Sequence, residues 1–581
     1  MSRLLPIATT LSAGVLLGLA CNPLRQPLGT LSPSQSGASG SLGNAGNGGS
    51  TGAAGTGPVK LTGNQIPSLP PEWNGCDPAV FRCYRDPSLP ASPAGLFSGL
   101  LDPDPAHKPS IVYPFEGSMH PINLADITFQ WRRAQDVAQT VFRIRLQRIN
   151  SDVFEFFVPC KHVTGGPTAL ANECVYALPP GAWIELATTC PGETLTVDVS
   201  AANPATPGTY AQSAPMTISF TPTDVRGGYY YWSNDLQGTE RVLFGARATT
   251  PFIVPSSRSN PDTCGGCHAL SRTGATIGFT QGSANEGVLR VASTANVDQP
   301  LFSPATTHDS GTMALNRDGT RVMVSYAGRL FVRDTATGAT LGEVGLAAIP
   351  SPLHGFHPDW APDDKSVALT LSAQGASDWS VGTGAIGVLP VDLSATGSAM
   401  FGQVETIVET SSAAFNFYPS FSPDGHWLVF ASAPPGLGQT SYKQANARLR
   451  LANRDTHAVY ELDNATVEPG RSATWPKFAP FSQAGGLMFV TFNSKIDYGF
   501  YSPDGGMLAQ MWLTAIDVRR LQAGQDASTP PVWLPFQDVK SFNYLSAWSE
   551  SVGCRVDGSG ASIGCGDHEV CSQGACAMVV R

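Results

Sequence analysis

Charged side chains are scarce in this chain. Asp, Glu, Lys and Arg make up 14% of its 581 residues, and acids outnumber bases by 45 to 35, for a formal net charge of −10. No basic stripe or cluster interrupts that balance. Nucleic acid is therefore excluded as a partner, because neutralising phosphates takes grouped Lys and Arg. Long apolar runs are absent beyond residue 20, so no later segment has the about 20 apolar residues that span a bilayer. There is no P-loop and no dinucleotide-binding glycine pattern. GxSxG occurs at Gly48–Gly52 and Gly560–Gly564, but neither copy joins a strand to a helix as a nucleophile elbow must. What the chain has in excess is Gly (61) and Pro (47), a composition of many turns and few long helices.

The first residues read as an export segment. Arg3 precedes the apolar run LLPIATTLSAGVLLGLA (4–20), and Gly18-Leu19-Ala20 leads into Cys21. Small residues before a cysteine resemble a lipobox, although Gly18 stands where that pattern prefers Leu. The resemblance implies that residues 1–21 are a lipoprotein signal with Cys21 lipidated. The chain would then be anchored to a membrane of the cell envelope, facing the periplasm or the cell surface. Residues 22–70, rich in Gly, Ser, Ala and Asn, cannot build a core and read as a flexible linker. Residues 71–108 are Pro-rich and read as a stalk or cap, with Cys76 and Cys83 close enough in sequence to close a small disulfide loop.

Residues 109–222 change character. ITFQW (127–131), VFRIRLQRI (141–149), VFEFFV (153–158), WIEL (183–186), LTVDVSA (195–201) and MTISF (216–220) are short apolar-alternating runs bounded by turn formers. This spacing predicts a β-sandwich and resembles immunoglobulin-like or fibronectin type III domains. Cys160, Cys174 and Cys190 fall here, so one of the three is free or pairs outside the domain.

Within a propeller domain read over residues 223–550, a unit recurs from residue 264 onward. YPSFSPDGHWLVFAS (418–432), HPDWAPDDKSVALTLS (357–372), TMALNRDGTRVMVSYA (312–327) and WPKFAPFSQAGGLMFVTFN (475–493) share one plan: strand, tight turn, alternating strand. Asp318, Asp363, Asp424 and Gly425 are its turn residues. A hairpin cannot bury both faces alone, whereas several packed radially can, as in a β-propeller. The unit resembles the repeat of TolB-type propellers. GGYYYWSNDLQGTERVLFGA (227–246) and VWLPFQ with FNYLSAWSE (532–550) read as a blade closed by both ends of the domain, giving about six blades. The fold class is therefore mainly β: a sandwich, a propeller of about six blades, and a small Cys-rich tail (551–581).

Cys264-Gly265-Gly266-Cys267-His268 is CxxCH and resembles the attachment motif of c-type cytochromes. The resemblance implies one covalent haem c, thioether-bonded at Cys264 and Cys267, with His268 as the proximal iron ligand. HALSRTGATIGF (268–279) aligns with PSFSPDGHWLVF (419–430), so the motif begins a blade's inner strand and the haem is expected near the propeller axis. Candidate distal ligands are His357 and His308, which lie near blade entries, and Met313, which aligns with His268. Cys554, Cys565, Cys571 and Cys576 lie within 23 residues and read as a disulfide knot with three possible pairings, a zinc site being the competing reading. The functional expectation is an envelope lipoprotein with a redox or electron-transfer role and a redox or envelope protein as partner. The alternative is a protein- or glycan-binding scaffold with Cys264 and Cys267 as a disulfide. Whether the chain is an enzyme stays open.

Overall fold

A computed structural model describes residues 73–578, apart from 75, 78, 150–151, 164–171, 256–264, 284–285, 303–309, 375–380, 396, 436–440, 442–443, 502–507, 557–561, 564–568 and 573–574. Cys21, Cys264, His308 and Cys565 lie outside the described residues. So do the signal, the lipobox and the linker.

Six antiparallel sheets form the propeller. Their inner strands are Asn543–Ser549 (blade 1), Gly265–Leu270 (blade 2), Met313–Leu315 (blade 3), His354–Trp360 (blade 4), Phe415–Phe421 (blade 5) and Ala473–Gln483 (blade 6). Each inner strand packs against the next in cyclic order, and blade 6 returns to blade 1, so the ring is closed. Blade 1 joins both ends of the domain: Gly228–Ser233 pairs with Asn543–Ser549, Gly228 opposite Ser549. The expected closing blade is thus present with one correction. Val532–Trp533 does not join it but forms the outer edge of blade 6, against Gln510–Asp517.

The turn chemistry explains the repeat. Ser271, Asn316 and Ser422 each accept, through a side-chain oxygen, the N–H five residues on: Thr276 at 3.1 Å, Arg321 at 2.8 Å and Trp427 at 3.0 Å. Asp318 and Asp424 hold the N–H groups of Thr320 and His426. Gly319 closes its turn at φ 77°, where an added Cβ would sit 2.4 Å from Thr276 Oγ1. A positive φ with no room for a side chain is a requirement only glycine meets.

Residues 82–220 form two sheets, one of eight strands and one of three. The Pro-rich stretch is built into this body: Arg82–Arg85 lies parallel to Val153–Pro159, and Leu100–Leu101 pairs with Thr209–Gln212. WIEL (183–186), expected as a strand, lies instead in the helix Pro180–Thr189. Four residues cannot separate period 2 from period 3.6, and Pro180 at the first helical position favours the helix. That helix buries Trp183, Ile184 and Leu186. Disulfides join Cys76 to Cys83 and Cys160 to Cys174. Cys190 is the odd thiol, buried and free, and burial pushes it up to about 11. In the tail Cys554 and Cys576 are disulfide-bonded.

The sandwich docks on blade 6. The rings of Tyr498 and Trp533 stack at 4.0 Å, Tyr113 meets Tyr498 edge-on, and the Tyr113 hydroxyl accepts the Trp533 N–H at 3.1 Å. One apolar cluster runs through both bodies, from Phe142 and Trp183 to Trp512 and Trp533.

Candidate axial site

The inner strands of five blades, all but blade 3, carry their axial side chains at a bulge. In blade 2, Gly266 pairs with Thr280 and Ala269 with Gly278, so Cys267 and His268 stand opposite the single residue Phe279. His357-Pro358, Tyr418-Pro419 and Trp475-Pro476 stand at the same kind of bulge in blades 4, 5 and 6. The first residue of each bulge has positive φ: Cys267 41°, His357 51°, Tyr418 55°, Trp475 46°, and Leu545 50° in blade 1. Such angles are costly for residues with a Cβ and persist only where neighbours over-determine them. Here neighbouring side chains do so. Thr312, Thr370 and Asn493 accept the main-chain N–H groups of His357, Tyr418 and Leu545, at 3.3, 3.2 and 3.3 Å.

These residues surround a cavity of about 130 Å³ on the axis, partly open to solvent. One side of the wall is an aromatic arc. His357 and Tyr418 lie 4.2 Å apart, Tyr418 and Trp475 5.3 Å, and Trp475 and Tyr544 5.8 Å. Cys267, His268, Thr312 and Met313 form the other side.

One residue past the bulge the wall becomes charged in blades 4 and 6. Lys477 of blade 6 pairs with Asp359 of blade 4, whose second oxygen accepts the Phe421 N–H at 2.7 Å. Arg272, in the turn after the blade 2 strand, reaches the Trp360 and Phe421 carbonyls at 3.3 and 3.5 Å. Its guanidinium crosses from blade 2 to blades 4 and 5 and closes the cavity at the turn end.

His268 is the polar group left over. It is 9% exposed, and among the described residues neither ring nitrogen has a partner of normal hydrogen-bond geometry. Burial pushes it down to about 4; the Tyr230 main chain offsets a little of that effect and the Lys477 charge adds to it. It is a neutral imidazole at pH 7, and an unpaired polar group so placed costs about 1–3 kcal/mol.

The sequence candidates distribute as follows. Cys267, His268 and His357 meet at the cavity. His357 is held by Thr370 Oγ1, 3.0 Å from Nδ1. Met313 touches the cavity, but its sulfur is packed on blade 2: a Cβ on Gly278 would lie 2.9 Å from it. His107, His120, His426 and His457 are engaged elsewhere, with Asp102, Ser118, Asp455 and Glu405. Among the described residues no group of three or more His, Cys, Asp or Glu is arranged to hold a metal ion. Sequence reading missed Tyr418, Trp475, Lys477, Asp359 and Arg272. The repeats did carry the signal. HPDW, YPSF and WPKF superpose, and the residues before and after each Pro are the ones facing the axis.

Fold and site thus define a six-bladed propeller with an axial cavity. Solved structures similar to the chain include TolB from Acinetobacter baumannii (12% identity, 61% of this chain and 79% of that chain, TM-score 0.34). They also include a nidogen/laminin complex (12%, 55% and 98%, 0.33) and an oligogalacturonate lyase in complex with manganese (12%, 52% and 73%, 0.31). No protein-family model and no curated protein sequence matches the chain.

Proposed function

We propose that the protein is a mono-haem c-type propeller of the cell envelope with a redox role. The observation that supports it is His268: a neutral, buried imidazole with no hydrogen-bond partner of normal geometry among the described residues, beside Cys267 on the wall of the axial cavity. The donor set fits the group. Thioether bonds from Cys264 and Cys267 would hold the porphyrin, and His268 would hold the iron. A bound haem supplies one-electron iron chemistry. The chain's own part is to keep His268 unprotonated, to exclude water by the aromatic arc, and to offer His357 as a second imidazole. On the same reading Cys21 carries a lipid that anchors the chain to a membrane, and a redox or envelope protein is its partner.

The test is a pyridine haemochrome spectrum of protein made with c-type maturation. A c-type band that survives acid-acetone extraction, and is lost in Cys264→Ser with Cys267→Ser, is the expected result. Colourless protein with the two thiols joined would remove the haem reading. It would leave the second one, a binding propeller, which the aromatic arc of Tyr418 and Trp475 favours. Palmitate labelling that disappears in Cys21→Ser tests the anchor.

A further inference from the structure

The Lys477 ammonium has three protons to donate and, among the described residues, one side-chain acceptor, Asp359. Asp359 is the fixed partner. Its side chain is 10% exposed and is tied to the blade 5 main chain, whereas the Lys477 side chain is 33% exposed. The spare donors therefore belong to the side of Lys477 that lines the cavity. The same cavity holds the unpartnered imidazole of His268 and the aromatic faces of Tyr418 and Trp475. Arg272 adds a second cation at its turn end. The wall thus offers aromatic surface, the imidazole of His268, and spare Lys477 donors beside Asp359, while Arg272 is faced by Asp359, Glu550 and Asp364. These are the features that recognise an aromatic ring system bearing an acid.

We propose that the axial cavity is a site for a planar, carboxylate-bearing ring system, with the Lys477 ammonium as the counter-ion of the carboxylate. The inference deepens the haem reading, on which the ring is the porphyrin and the carboxylate a propionate. It rests on that reading for the identity of the ring alone.

The experiment uses the full chain made without c-type maturation and two probes, metal-free protoporphyrin IX and its dimethyl ester. Binding is followed by the anisotropy of porphyrin fluorescence. The diacid is expected to bind at least about tenfold more tightly than the ester, the worth of one charge-assisted hydrogen bond. Lys477→Gln should erase that preference and Lys477→Arg should keep it. The comparison of acid with ester on the unaltered chain holds even if Lys477→Gln fails to fold. Equal affinity for acid and ester, an acid preference that survives Lys477→Gln, or no binding of either would overturn the proposal. The haemochrome spectrum is read separately. A colourless matured protein with Lys477-dependent acid binding sinks the covalent haem and keeps this site. A positive spectrum with no acid preference does the reverse.

Discussion

Gly319 and His120 show how much hangs on single positions. At Gly319 a methyl group would meet Thr276 at a backbone angle that L side chains rarely adopt. Gly319→Ala is expected to destabilise the protein by about 1–2 kcal/mol, read from the urea midpoint. His120 is fully buried, and desolvation pushes it down to about 3. A histidine depressed in the fold takes up its proton mainly on unfolding, so its contribution is complete above the unfolded value of about 6.5 and is lost as pH falls below it. At pH 5 the loss amounts to about 2 kcal/mol, since only the unfolded chain is then protonated. The melting temperature should fall between pH 7 and pH 5, and His120→Leu should flatten that slope; an unchanged slope would mean that His120 is not the titrating group. The axial residues were only partly legible at this scale. CGGCH announces itself by chemistry. Lys477 and Asp359 look like ordinary charges until four repeats are superposed, because their meaning lies in the register across blades and not in any local pattern.

At the scale of strands and loops, the propeller hairpins could be read directly, since turn residues and alternation agree in each copy. The helix Pro180–Thr189 could not, because its four-residue apolar run fits either period and only packing of Trp183 under the sheet decides. The closing strand was half-readable. FNYLSAWSE closes blade 1, while VW was drawn to blade 6 by pairing that sequence does not announce. Trp548 seals the closure: its ring lies 5.0 Å from Tyr229 and 5.3 Å from Phe244, and its indole N–H donates to Thr491 Oγ1 at 2.8 Å. Trp548→Ala should cost about 3–5 kcal/mol and show as a large loss of near-UV circular dichroism on mild heating. The 14-residue loop of Cys160–Cys174 belongs to this scale too. Replacing both cysteines by Ala should lower stability by about 3 kcal/mol, with reduction of the unaltered protein giving a matching shift.

For the molecule as a whole, sandwich and propeller share an apolar cluster, and the Tyr113–Tyr498–Trp533 contact is its joint. The two bodies should therefore melt in one calorimetric transition, and Tyr113→Ala should split it in two; a single transition in the variant would show that this joint does not couple them. Strand patterning and the repeat set the two bodies apart in the sequence, which gave no sign of the joint, because buried aromatics in different segments declare nothing about each other. The pairing of Gly228 with Ser549 carries a further consequence, one of timing. During synthesis the strand Gly228–Ser233 emerges some 300 residues before its partner. Until the ribosome reaches the end of the domain, its inner edge is an unpaired template for any passing strand. The other five blades can form in order behind it, but the ring itself is finished only by the last strand of the domain, so a product truncated before it would carry a raw edge and not a smaller propeller.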